Sequence, residues 1–154
     1  MLTPMPADRP APPARADYRY FTPITTRWSD NDLYGHINNV VYYSYFDTAA
    51  NQYLIAEGGL DLVAGPVIGL VVESRCHYHA PLAYPTPLVA GVRVDHLGQR
   101  AVTYGIAIFA DAPAAPADRA AAHGTFVHVF VDRATRAPAP IPPSLRAALA
   151  RLAG

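Results

Sequence analysis

From residue 42 the apolar positions fall into a helical rhythm. Tyr42, Tyr45, Phe46, Ala49, Ala50, Tyr53 and Leu54 stand at i, i+3, i+4, i+7, i+8, i+11 and i+12, which puts them on one stripe of an α-helix. Ser44, Asp47, Thr48, Asn51 and Gln52 lie off that stripe. Asn38 or Asn39 suits the N-cap and Gly58-Gly59 suits the stop. The spacing predicts a helix of about sixteen residues, about 24 Å long.

The remaining periodic stretches read as strands. "DYRYFTPITTRW" is β-branched and aromatic and makes a first strand, with Pro23 marking an edge or a bulge. Strict alternation over "VIGLVVESRCHYH" puts Ile68, Leu70, Val72, Cys76 and Tyr78 on one face and Glu73, Arg75, His77 and His79 on the other. "PLVAGVRVDHL" groups Leu88, Val92 and Val94, and "RAVTYGIAIFA" groups Val102, Tyr104, Ile106 and Ile108. "AHGTFVHVFVD" is apolar on both faces, as a central or covered strand is. "PPSLRAALARL" closes the chain as a short helix. The order is β, α, then four strands and a helix. A single long helix after the first strand needs a curved antiparallel sheet to bury its stripe, so the class is α+β.

Composition narrows the function more than the fold. The 154 residues suit one domain, with 51% hydrophobic and 16% charged residues. Twelve basic and twelve acidic residues cancel, which argues against a nucleic-acid surface. Cys76 is the only cysteine, so no intrachain disulfide forms, and a cytoplasmic location is the default expectation. No run approaches the ~20 apolar residues of a membrane span. Residues 1–16, rich in Pro and Ala, read as a disordered tail without a part in the fold, and residues 17–154 as the single domain.

The chemistry concentrates just before the helix. In "RWSDNDLYGHINNVVYYSYFD", Asp30 and Asp32 precede Gly35, His36, Asn38 and Asn39. A carboxylate can serve as general base or nucleophile. A helix N-terminus offers free N–H groups and a dipole that favours negative charge. Gly35 allows backbone close to a substrate. The aromatic run beginning at Tyr42 offers apolar walls. In isolation, Asp30 and Asp32 are equally compatible with turns and caps.

The pattern Asp-x-Asp-x-x-Gly-His-x-Asn-Asn before an aromatic helix resembles the acyl-CoA thioesterases of the 4-hydroxybenzoyl-CoA thioesterase type. The likeness extends through "HAPLAYPTPLVAGVRVDHLGQRAVTYGIAIF" and "FVDRATRAPAPIPPSLRAAL", about residues 18 to 150. It implies the hotdog fold, a five-stranded antiparallel sheet wrapped around one long central helix. It implies hydrolysis of an acyl- or aryl-CoA thioester to free acid and CoA. By that resemblance Asp32 is the catalytic carboxylate and the backbone N–H of Asn39 the oxyanion donor. Gly35, His36, Asn38 and Tyr42 are expected to line the substrate. Arg100, opening a strand, is the expected contact for the phosphates of CoA. Asp30 is expected to be structural. Asp47, off the stripe of the helix, is the rival carboxylate, because another branch of the fold carries its acid there. No metal and no cofactor are expected, since CoA arrives with the substrate. His77 and His79 have the spacing of two ligands on one strand face, but no third lies near in sequence and both are read as exposed. A homodimer or homotetramer is expected, because an open sheet leaves an edge and a face to cover. The alternatives are a thioesterase acting on acyl-carrier proteins and a non-catalytic protein that binds acyl or aryl ligands.

Overall fold

The stripe predicted from the helical rhythm is the buried face of α1 (Val41–Gly58). All seven of its residues are at most 5% exposed. The computed structural model describes residues 8–112 and 118–154. Around α1 run β1 (Tyr20–Ile24), β2 (Val67–Tyr78), β3 (Leu88–Leu97), β4 (Ala101–Ala110) and β5 (Ala122–Asp132), followed by α2 (Pro143–Leu152). The strands form one antiparallel sheet in the order β1-β3-β4-β5-β2. β1 and β2 are its edges, which is where Pro23 is tolerated.

The helix starts two residues later than Asn39 and runs to Gly58, because Asn38 folds the turn before it. The Asn38 side-chain oxygen accepts from the Val40 N–H at 3.0 Å, and its carbonyl accepts from the Val41 N–H at 2.9 Å. Gly59, at φ +67°, closes the other end. α2 seals that end of the core: Leu145, Ala148, Leu149 and Leu152 are buried, and the Tyr53 hydroxyl donates to the Ala148 carbonyl.

Strand β2 departs from strict alternation. Val71 pairs with His128 and Glu73 with Val127, so Val72 is an extra residue, a bulge. One extra residue inverts the faces on either side of it. Cys76 and Tyr78 do pack on the helix side, but Val67 joins them there rather than Ile68 and Leu70. The β4 grouping is as predicted, with Val102, Tyr104, Ile106 and Ile108 all fully buried. β5 lies between β4 and β2.

The N-terminal stretch differs from the expected tail. Residues 1–7 lie outside the described part. Residues 13–17 are tied to the sheet: Pro13 accepts from the Ala120 N–H at 2.9 Å and Arg15 donates to the Asp118 carbonyl at 2.9 Å. Backbone pairing, which side-chain composition does not report, holds this Pro/Ala segment in place. Among the described residues no helix is long and apolar enough to cross a membrane.

Candidate active site

The loop from β1 to α1 crosses the end of the sheet where β2 finishes and β3 begins. The Ile37 N–H donates to the Leu82 carbonyl at 2.7 Å, and the Tyr84 N–H to the Asn31 side chain at 3.0 Å. These bonds fix the loop to the β2–β3 connection.

Asp30 is the clamp of this loop. It is fully buried and accepts from the Tyr45 hydroxyl at 2.7 Å, the Arg27 N–H at 3.0 Å and Arg27 Nε at 2.9 Å. Burial pushes its carboxyl up. The hydrogen bonds from Tyr45 and Arg27 outweigh that and hold it below the ordinary carboxylate range. Its carbonyl accepts from the Asn38 N–H at 2.9 Å, so one residue ties both ends of the loop. Asp30 is therefore structural.

Asp32 is half-exposed on the same loop. Its Oδ1 accepts from the Tyr34 N–H at 2.8 Å and its carbonyl from the Gly35 N–H at 3.1 Å. Gly35 sits at φ +80°, a conformation that other residues resist and that closes this turn. Among the described residues, nothing donates to Asp32 Oδ2. Asp32 and Gly35 line a cavity of about 480 Å³ with Trp28, Asn31 and Leu33.

Seven residues on, Asn39 stands at the entry to α1. The neighbouring N–H groups of Ile37, Asn38, Val40 and Val41 are all engaged, whereas that of Asn39 has no acceptor among the described residues. The Tyr78 hydroxyl donates to the Asn39 carbonyl at 2.7 Å and so sets the orientation of this peptide. Asn39 and Tyr42 share a second cavity of about 360 Å³ with Tyr78 and His79. The Tyr42 hydroxyl is pushed up to about 12, by burial first and then by Cys76.

The structure thus brings Asp32, Gly35, His36, Asn38, Asn39 and Tyr42 to one loop and helix start, although Asp32 and Asn39 open to separate cavities. His36 is exposed, and its carbonyl accepts from the Asp32 N–H at 2.9 Å. Arg100 is not brought there. It lies in the β3–β4 turn, at the opposite end of strands about 30 Å long. Asp47 accepts from the Asn51 side chain on the outer face of α1. Tyr45 and Tyr53 spend their hydroxyls inside the core rather than on a pocket wall.

Two histidine arrangements escaped the sequence. His79, just past the end of β2, meets His123 of β5 at 2.8 Å between Nε2 and Nδ1, and His77 stacks on His123, so these rings are half-buried rather than exposed. His128 is buried among Tyr104, Phe126 and Phe130. Burial pulls it down to about 4, against a smaller upward pull from Asp47, so its ring is neutral at pH 7. Pairing across strands needs register, and no local motif encodes it.

A sheet wrapped around one helix, with a polar loop at the helix entry, is the hotdog architecture of thioester-hydrolysing enzymes. The chain belongs to the thioesterase-like superfamily, whose sequence profile matches residues 26–149, and it is a thioester hydrolase. It is 52% identical to the PA5185 protein from Pseudomonas aeruginosa, covering 93% of this chain and 97% of that one, with a TM-score of 0.89. The PA2801 protein from Pseudomonas aeruginosa is 27% identical over 84% of this chain and 96% of its own, with a TM-score of 0.74. A 1,4-dihydroxy-2-naphthoyl-CoA thioesterase from Synechocystis, Slr0204, shares the fold at 16% identity, 85% and 95% coverage and a TM-score of 0.74. No curated protein matches the chain.

Proposed function

We propose that the chain hydrolyses acyl-CoA thioesters to free acid and CoA, with Asp32 as base or nucleophile and the Asn39 N–H as oxyanion donor. One observation carries this. A single loop presents a carboxylate oxygen and, seven residues on, a backbone N–H, neither with a hydrogen-bond partner among the described residues. As general base, Asp32 takes a proton from water while the water oxygen bonds to the thioester carbon. As nucleophile, it forms a mixed anhydride that water then cleaves. In both routes negative charge develops on the carbonyl oxygen. A fixed N–H is strongest there, because it needs no reorganisation. The intermediate collapses by breaking the C–S bond, and the CoA sulfur leaves and takes up a proton. Base, donor and water complete this chemistry, and CoA is part of the substrate.

Gly35 and His36 shape the turn that holds Asp32, Asn38 sets the start of α1, and Tyr42 walls the cavity beside Asn39. Two copies of the chain, paired through edge strand β2, complete the site. Leu70, Val71 and Val72 on that edge are 38%, 46% and 60% exposed, and Leu33, Tyr34 and Val40 on the loop stand in solvent as well. A bare apolar edge of this kind is a template for another strand.

The test is CoA release from short, long and aryl acyl-CoAs by wild type and by Asp32→Asn. Turnover of one acyl class by wild type, with a loss of about 10²–10⁴-fold in kcat for a variant that still binds substrate, is expected. Undiminished activity in the variant removes Asp32 from the mechanism. An inert wild type removes the CoA thioester.

A further inference from the structure

The cavity beside Asn39 has a cation on its rim that the loop motif does not supply. Arg9 lines it together with Asn39, Tyr42, Tyr78 and His79, and no carboxylate of the described residues does. Two of the other polar groups on the lining are committed elsewhere: the Tyr78 hydroxyl to the Asn39 carbonyl and the His79 ring to His123. Arg9 is exposed and makes no ion pair or hydrogen bond among the described residues. It is not at the end of a loose tail, because Pro13, Ala14 and Arg15, four to six residues on, are paired with residues 118–120. Four residues of chain from that anchor span at most about 13 Å, so Arg9 is tethered within reach of this rim. His79 feels it: burial, then Arg9, then His77 pull that ring below its ordinary value.

We propose that Arg9 binds an anionic group of the thioester substrate, either a phosphate of CoA or a carboxylate on the acyl chain. This rests on the thioesterase function proposed above. A guanidinium presents a planar fork of donors that fits phosphate and carboxylate alike. The cavity offers no competing anion, and the Asn39 N–H in the same cavity places the thioester carbonyl within it. Arg9 takes the part first expected of Arg100, which stands at the far end of the sheet.

The test uses the full chain and four substrates: CoA and pantetheine thioesters, each with a neutral and an ω-carboxyl acyl group of equal length. Arg9→Gln is compared with wild type. A fall of about tenfold in the kcat/KM preference for CoA over pantetheine, carried by KM, identifies the phosphate. The same fall in the preference for the ω-carboxyl over the neutral acyl group identifies the carboxylate. Equal effects on all four substrates, or none, overturn the proposal. Should wild type turn over none of them, the thioesterase function fails first. Calorimetry with free CoA then decides: binding weakened about tenfold by Arg9→Gln sustains the anion site, and binding that is unchanged or absent overturns it.

Discussion

At the scale of single residues, two aspartates two positions apart do opposite things. Asp30 is fully buried under three donors, whereas Asp32 keeps one oxygen open to a cavity. The Tyr45 hydroxyl is one of the bonds that hold the Asp30 carboxyl low. Stability from this group is complete above the ordinary carboxylate value of about 3.9 and is lost as pH falls through the lower folded value. Tyr45→Phe removes one of those bonds and lets the carboxyl rise. We expect a loss of about 1.5–3 kcal/mol at neutral pH and acid unfolding that begins at a higher pH, read by circular dichroism across an acid titration. Asn39 makes a different prediction. Its proposed role is in its backbone N–H, so Asn39→Ala is expected to keep kcat within a few-fold of wild type. A collapse of turnover in a folded Asn39→Ala protein shifts the role to the side chain. Asp32 was legible because a carboxylate, a glycine and a helix start follow one another in sequence. Its open oxygen was not, because the donor that occupies Oδ1 is set by the turn.

At the scale of elements, the helix was readable residue by residue. Its environment is uniform along one stripe, and a 3.6-residue period encodes that directly. Strand β2 was not, since a single bulged residue reverses every facing beyond it. What holds β2 is its contact with β5. Gly124 lies so close to Arg75 on β2 that an added Cβ stands 1.7 Å from the Arg75 carbonyl oxygen. Gly124→Ala therefore forces the two strands apart at a point flanked by the His77–His123 and Arg75–Thr125 pairs. We expect a destabilisation of about 3 kcal/mol in urea unfolding. A variant with unchanged stability means that β2 moves freely against β5.

At the scale of the whole molecule, the chain leaves the loop of Asp32 and Asn39 and its β2 edge dressed in apolar side chains. The proposed pairing of two copies makes a clear prediction. Leu70→Lys with Val71→Lys puts two charges on that edge, and like charges across a two-fold repel. Wild type is expected to sediment at twice the monomer mass or more, and the double variant at the monomer mass with reduced kcat/KM. A wild type that sediments as a monomer removes the shared site, while a variant that stays dimeric moves the interface elsewhere.

The order of elements, the buried stripe of α1, the place of the polar loop and the membership in a thioester-hydrolysing family were all carried by local sequence. Each depends on residue types within a few positions of one another, and on short-range periodicity. Tertiary structure alone decided that Asp30 is sealed under Tyr45, that the Asn39 N–H has no acceptor among the described residues, and that Arg100 stands a full strand length from the loop. It also decided that Arg9 reaches the cavity from a segment whose composition promised no fold. These depend on which strands pair and in what register, so residues from 15 to more than 100 positions apart must first meet in space.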